Sequence, residues 1–317
     1  MNKEVPRLRF SSFAGAWEHK RIAEMFDFLQ NNTLSRADMS NDGEIKNIHY
    51  GDILMKFNDC INITTDDLPS ITDPETALKY CASLLREGDV VIADTAEDET
   101  VGKCSEIICT AGEPVLAGLH TIAIRPKEKF ARGFLGHYLN SESYRRQLRK
   151  LMQGIKVTSI SKGALKTTQI TYPTQADEQE KIGSFFSLID NLINLQQKKC
   201  EKLLALKKAY LHKMFPQKDE TKPQQRFAGF SGAWKSKKLS EISAITAGGD
   251  VDKSLLKKTG RFPVIANALS NDGIVGYYED EYRVNAPAVT VTGRGDIGHA
   301  KARLLNFTPV VRLLTVS

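Results

Sequence analysis

One aromatic phrase is written twice in this chain, 217 positions apart. Arg9-Phe10-Ser11-Ser12-Phe13-Ala14-Gly15-Ala16-Trp17 stands near the start, and Arg226-Phe227-Ala228-Gly229-Phe230-Ser231-Gly232-Ala233-Trp234 stands in the last third. Each copy continues into a basic pair (Lys20-Arg21, Lys237-Lys238), an aliphatic residue (Ile22, Leu239) and a glutamate (Glu24, Glu241). The two phrases hold the only tryptophans in the chain, so coincidence explains them poorly. The period far exceeds the roughly 20–50 residues of a solenoid repeat and marks duplication of a domain-sized unit. Each copy reads as a clip: Phe, Phe and Trp fold onto the domain that follows, and glycine supplies the turn.

A length of 317 residues suits two such units, and 41% hydrophobic with 26% charged residues suits a folded core. No apolar run approaches the ~18 residues of a membrane span, and Met1 leads into Lys3, Glu4 and Arg7 with no secretory segment. The expected location is the cytoplasm, with no membrane partner. Cys60, Cys81, Cys104, Cys109 and Cys200 are an odd set without CxxC spacing. They read as isolated reduced thiols, and neither zinc nor a disulfide framework is expected.

The net charge of +6 is unevenly spread. Residues 1–129 carry 14 Lys/Arg against 22 Asp/Glu, a net of −8. Residues 130–170 carry eight basic residues (Arg132, Arg145, Arg146, Arg149, Lys150, Lys156, Lys162, Lys166) against Glu142 alone. Residues 226–317 carry 13 basic against 8 acidic. Basic surface beside acidic surface suits a polyanion held on one face, although a merely solvated basic helix has the same composition.

After the first clip, short strands are predicted behind Gly-Asp turns: Ile53–Phe57 after Gly51-Asp52, and Val90–Ala93 after Gly88-Asp89. Further strands are predicted over Ser105–Thr110, Leu119–Arg125 and Thr167–Tyr172. Two helices are predicted between Phe130 and Gln153, the second from a Ser141 cap to Gly154. Its Leu148, Leu151 and Met152 turn inward, and Arg145, Arg146, Arg149 and Lys150 turn to solvent or a ligand. Just beyond, Gly154–Lys162 combines Lys156, Thr158, Ser159, Ser161 and Lys162, residue types suited to phosphates or base edges.

The texture changes at Pro173. Thr174 and Asp177 have capping-box spacing, with Asp in place of the usual Glu. From Asp177 to Phe215 there is no Pro and only Gly183, and apolar residues recur at helical spacing. Ile182, Phe185, Ile189, Leu192, Leu203, Leu206 and Tyr210 form a stripe, with Gln196 set within it to fix a register. The 39 positions predict a helix of roughly 58 Å. A helix this long needs another helix over its stripe, as in a coiled coil; two shorter helices broken near Gln196–Lys199 are the alternative. Pro216 ends the stretch, and Gln217–Gln225 reads as a linker. Strands are then predicted over Phe262–Ala266, Ile274–Tyr278, Ala288–Thr292 and a final run to Val316. The layout is therefore 1–176, a first mixed domain with its clip; 177–215, a long helix; 216–225, a linker; and 226–317, a second, shorter domain. The fold class is α+β.

Catalytic motifs are scarce. Gly293-Arg294-Gly295-Asp296-Ile297-Gly298 matches GxGxxG, but a dinucleotide site also needs a following helix and an acidic residue ~20 positions on. A glycine-rich hairpin turn is the better reading, with Arg294, and Lys301 beyond it, free to reach phosphate or base. Glu44-Ile45-Lys46 supplies the ExK part of a metal-dependent nuclease pattern without a convincing partner aspartate. There is no GxxxxGK[ST] loop, no HExxH and no Asn-Pro-Pro-aromatic tetrapeptide, and the six histidines are scattered. No catalytic, metal or cofactor residues are assigned.

Taken together, the residues resemble the specificity subunit of type I restriction–modification enzymes over essentially the whole chain. The matching marks are the Phe-x-x-Phe-x-Gly-x-Trp clip before each half, Ile48-His49-Tyr50-Gly51-Asp52-Ile53, Gly88-Asp89-Val90-Val91-Ile92-Ala93, Lys156-Val157-Thr158-Ser159-Ile160, and Pro173 with Glu178-Gln179 opening the long helix. The resemblance implies two target-recognition domains that each read half of a split double-stranded DNA sequence, held apart by two long antiparallel helices. It implies docking to methyltransferase subunits and to restriction/translocase subunits, which supply S-adenosylmethionine, ATP and Mg²⁺ chemistry, while this subunit has no catalytic residues and no cofactor. The family's second helix and the end of its second domain are not found in this sequence. The expectation is a truncated subunit that pairs with a second copy through its long helix or is unstable alone. Two other classes stay open on the residues: an enzyme, either a standalone metal-dependent nuclease using Glu44 and Lys46 or a methyltransferase fragment, and a coiled-coil adaptor whose domains bind protein.

Overall fold

A computed structural model describes residues 6–73, 75, 79–154 and 156–317, so Met1, Lys3, Glu4 and Ile155 lie outside the described residues. The described residues form two compact units, divided between Leu203 and Leu204.

In the first unit the Gly88-Asp89 turn opens the strand Val90–Ala93, the middle of a five-stranded sheet. The order is Phe26–Phe28, Thr121–Pro126, Val90–Ala93, Cys104–Cys109, Cys60–Asn62. Neighbours are antiparallel except the last pair. All four residues of Val90–Ala93 are buried because both faces of the sheet are covered. Alternation sends Val90 and Ile92 into one core with Ile122, Ile124, Phe134, Tyr144 and Leu148. Val91 and Ala93 enter a second core with Ile48, Ile53, Ile107 and Ala123. An unbroken β-branched run with no polar alternation is what such a two-sided strand requires.

Ile53–Phe57 is not a strand. Tyr50–Met55 is a helix, capped by the His49 Nδ1, which accepts the Gly51 N–H at 3.2 Å. Asp52 lies in its first turn, where a negative charge is favoured, and pairs with Arg36 at 2.7 Å. A short apolar run does not separate helix from strand by period. The burial does: Ile53 is fully enclosed, whereas Met55, on the same strand face, is 88% exposed.

The two expected helices are Phe134–Asn140 and Glu142–Arg149. The Ser141 hydroxyl accepts the Tyr144 N–H, as expected of a cap, but the second helix stops at Arg149, short of Gly154. Leu148 is buried, while Leu151 and Met152 are half-buried.

The long element is one unbroken helix, Ala176–Lys213, with no interruption at Gln196–Lys199. Its cap falls at Gln175, whose carbonyl accepts the Glu178 and Gln179 N–H groups, one residue later than the expected Thr174. Ile182 packs against the first core and Ile189 is half-buried. Phe185, Leu192, Leu203, Leu206 and Tyr210 are exposed, as is Gln196.

The second unit has a four-stranded sheet, ordered Ile245–Ala247, Leu314–Val316, Ala288–Val291, Ala300–Arg303. A three-stranded sheet is ordered Ile274–Tyr278, Phe262–Ile265, Thr308–Pro309. Its core is small, built on Ile265, Ala288, Phe307 and Leu313.

The clips do not fold onto the sequence that follows them; both grip the long helix or the chain just past it. In the first, Arg9 donates through Nε and Nη2 to both oxygens of Glu178, at 2.6 and 2.7 Å, and through Nη1 to the Gly15 carbonyl at 2.6 Å. Trp17 Nε1 donates to the same glutamate at 3.4 Å, and the Phe10 ring meets Phe185 edge-on at 6.1 Å. In the second, Arg226 donates to the Gly232 carbonyl at 2.6 Å and lies over the Trp234 ring, which meets Phe215 edge-on at 5.9 Å. Gly15 and Gly232 hold matching left-handed turns, φ 97° and 87°, so the duplicated glycine has a duplicated task.

Candidate nucleic-acid interface

The basic helix Glu142–Arg149 is not a uniform cationic stripe. Arg145 turns into the fold, where Nη2 donates to the Glu99 and Val101 carbonyls at 2.5 and 3.0 Å. Burial pulls its pKa down, and its Nη1 is enclosed without a hydrogen-bond partner. The expectation that Arg145 faces solvent is corrected: an arginine committed to two carbonyls is part of the scaffold. Arg149 forms a two-pronged pair with Glu142 at 2.7 and 2.5 Å, and Arg146 approaches the same carboxylate at 3.9 Å. Lys150 has no ion-pair partner among the described residues and is exposed. Arg146 and Lys150 line a shallow depression of about 280 Å³ with Ser143, Gln147, Leu151 and Thr167. Two cations beside hydroxyls and an amide suit a phosphodiester backbone.

The Gly154–Lys162 stretch divides in two. Gln153 and Ser159 exchange both backbone hydrogen bonds, 3.1 and 2.8 Å, so Gly154 and Lys156–Thr158 lie at a hairpin tip. Gly154 closes it at φ 115°, and a Cβ there would lie 1.9 Å from the Val157 carbonyl oxygen. Lys156 and Val157 stand exposed at the tip, while Thr158–Ser159 pairs antiparallel with Thr95–Ala96. Ser161 and Lys162 are held by the fold. The Ser161 hydroxyl caps the helix Lys162–Lys166 by accepting the Ala164 N–H at 3.1 Å. Lys162 Nζ donates to the Leu29 carbonyl at 3.4 Å and to Asn31 Oδ1 at 3.3 Å.

Beside this hairpin lies a group the sequence reading missed. His120 has φ 54°, in the left-handed region, and its exposed ring meets Tyr50 edge-on at 5.3 Å. His120 Nδ1 lies 3.4 Å from both the Thr95 hydroxyl and an Asp94 oxygen. Backbone bonds tie the group together: Asp94 N–H to the His120 carbonyl, and Ile160 N–H to the Asp94 carbonyl. Tyr50, Thr95, His120, Lys156 and Ser159 thus share one edge of the first unit, with planar rings beside hydroxyls and a cation. That mixture can stack on or hydrogen-bond to base edges. Lys156 and Ser159 are candidates from the sequence and Tyr50 lies in the Ile48–Ile53 motif, whereas Thr95 and His120 carry no sequence signal.

In the second unit Gly293–Gly298 is a hairpin tip between the antiparallel strands Ala288–Val291 and Ala300–Arg303, with no helix after it. Asn267 Oδ1 accepts the Gly293 N–H at 2.8 Å and fixes the tip. Arg294 is exposed there without an ion-pair partner among the described residues. Lys301 is less available, because it pairs with Asp272. Glu44 belongs to no cluster of metal-ligating side chains among the described residues, and Lys46 Nζ donates to the Ser70 hydroxyl at 3.3 Å. All five cysteines are free thiols, and no described helix is long and apolar enough to cross a membrane.

The fold is a pair of α+β units with basic tips and edges, the layout of a modular binding protein. The type I restriction–modification DNA specificity domain matches residues 15–205 and again residues 232–309, and the chain belongs to that family. Among solved structures, the S subunit of a type I restriction–modification system from M. genitalium is similar at TM-score 0.57 and 12% identity, over 99% of this chain and 75% of that one. A chain from a study of type I system assembly and conformational transition aligns at TM-score 0.49 and 14% identity, over 95% and 75%. The HsdS subunit from Thermoanaerobacter tengcongensis aligns at TM-score 0.40 and 14% identity, over 95% and 74%. No curated protein matches.

Proposed function

We propose that this chain is the non-catalytic, DNA-reading subunit of a type I restriction–modification complex, working in the cytoplasm. Residues 1–176 and 226–317 are its two recognition domains, each reading one part of a split double-stranded target. Methyltransferase subunits carrying S-adenosylmethionine, and restriction/translocase subunits using ATP and Mg²⁺, perform the chemistry. The observation that supports this reading best is the family match on both copies of the repeat. In the first domain, Arg146 and Lys150 take phosphates, while Tyr50, Thr95, His120 and the Lys156–Ser159 hairpin lie against bases. In the second, the Arg294 tip has the matching role.

The test is DNA affinity against salt. Phosphate binding makes log affinity fall linearly with log salt, by ~0.9 per phosphate neutralised. A measurable negative slope supports the reading, and affinity indifferent to salt opposes it. Incubation of the purified chain with plasmid and Mg²⁺ addresses the nuclease alternative; cleavage without partners would favour that class.

A second role is favoured by the exposed stripe Phe185, Leu192, Leu203, Leu206 and Tyr210. Such a stripe is stable in water when covered by another helix. Self-association through it is expected to shift toward monomer in Leu203→Lys or Leu206→Lys variants, read by sedimentation. This surface would serve a coiled-coil adaptor as well, and the DNA titration separates the two.

A further inference from the structure

Three residues far apart in the chain converge within the first unit. Asp59 precedes the strand Cys60–Asn62, His137 lies in the helix Phe134–Asn140, and Asp190 lies in the long helix. One ligand atom from each falls within 4.8 Å of the others. His137 Nδ1 is 3.0 Å from Asp59 Oδ2 and 3.8 Å from Asp190 Oδ2. The imidazole is 5% exposed and each carboxylate 32%, so the group is enclosed on the histidine side and reachable from solvent on the other.

We propose that Asp59, His137 and Asp190 bind a divalent first-row transition cation that fastens the long helix to the globular part of the first unit. A cation about 2.0–2.2 Å from each donor needs donors no more than roughly 4.4 Å apart. Both histidine–carboxylate separations meet that limit, and the two carboxylate oxygens, within 4.8 Å of each other, need close by no more than a few tenths of an ångström. One imidazole nitrogen and two carboxylate oxygens suit Zn²⁺ or Mn²⁺, and solvent fills the remaining positions.

The neighbours are those a ligand set needs. Metal-bound histidine typically donates its second ring N–H to a partner that fixes the ring. With Nδ1 on the cation, Nε2–H points at Cys60 Sγ, 3.9 Å away. The second oxygen of Asp59 accepts from Asn140 Nδ2 at 2.8 Å, which turns Oδ2 toward the histidine. The Phe186 ring lies 5.4 Å from the imidazole and shields it. The competing arrangement is a metal-free triad of the same three side chains.

The test uses the full chain, stripped with chelator and dialysed. Mn²⁺, followed by the loss of its free electron paramagnetic resonance signal, is the first probe because it ignores thiols. Zn²⁺ calorimetry is the second. The expected result is one equivalent bound by the wild type, with a higher unfolding temperature in its presence. Asp190→Asn, a partly exposed and isosteric change, is expected to weaken binding about tenfold or more. His137→Asn should abolish binding, but its burial makes Asp190→Asn the decisive variant. A folded wild type that takes up neither ion overturns the proposal. So does binding unchanged in Asp190→Asn, which would place the ion elsewhere. Because the readout is metal uptake and not DNA binding, it succeeds or fails separately from the DNA-reading role.

Discussion

Arg9 and Glu178 stand 169 positions apart and meet in a two-pronged ion pair that joins the first clip to the start of the long helix. Glu178 is 1% exposed. A carboxylate so enclosed is costly without its partner, so loss of the arginine should cost more than loss of both. Arg9→Ala is expected to lower the thermal midpoint of the full chain, and adding Glu178→Ala should restore part of the loss. Melts of the two single variants and the double variant form the cycle; strictly additive losses would show that the groups do not act as a pair.

The helix Glu142–Arg149 and the Lys150 after it divide buried scaffold residues from exposed cations. Leu148 is 1% exposed, and Leu148→Ala should cost about 2–5 kcal/mol. Arg145→Ala should also destabilise, because it strips two backbone carbonyls of their donor. Arg146→Gln with Lys150→Gln should leave stability within ~0.5 kcal/mol. The same pair should flatten the log–log salt dependence of DNA binding by roughly 2. Denaturant melts beside salt titrations read both effects.

Gly154 has no room for a side chain in the Gln153–Ser159 hairpin. An alanine would combine positive φ with a Cβ against the Val157 carbonyl, so Gly154→Ala should cost more than about 1 kcal/mol. The loss should be concentrated at the tip, with faster amide exchange at the Gln153 and Ser159 N–H groups and weaker DNA binding. Lys156→Gln at the same tip should weaken binding with no change in exchange.

The cap of Tyr50–Met55 is sensitive to acid. Burial, then the Arg36 charge, holds the His49 pKa below its ordinary 6.5; Asp52 opposes this and His120 adds to it. The folded state thus favours neutral imidazole, whose Nδ1 accepts the Gly51 N–H. The stability it contributes is full above about pH 6.5 and is lost as pH falls toward the lower folded value. Melts at pH 7.5 and 5.5 should show the loss, and His49→Asn, which keeps a side-chain acceptor at the cap, should diminish it. An equal pH dependence in both proteins would exclude His49 as its source.

Sequence patterns were informative where the physics is local. The long helix was legible because thirty-eight residues lack proline and repeat their apolar positions at helical spacing. Val90–Ala93 was legible because a two-sided strand is apolar throughout. Ile53–Phe57 was misread because five residues, apolar but for Lys56, carry no period, and the deciding contact was the His49 cap. Arg145 was set facing solvent or a ligand, opposite the inward Leu148, yet the carbonyls it serves, Glu99 and Val101, lie more than forty positions away. Asp59, His137 and Asp190 gave no signal, since no motif spans 131 positions; only the packing of the long helix brings them together.

Methylation mapping tests the central claim most directly. DNA from cells expressing this chain with its methyltransferase partner is sequenced for modified adenine, beside cells expressing the methyltransferase alone. The expected result is one split motif with an unread spacer, methylated only when the chain is present. Methylation that is unchanged without the chain would contradict the claim.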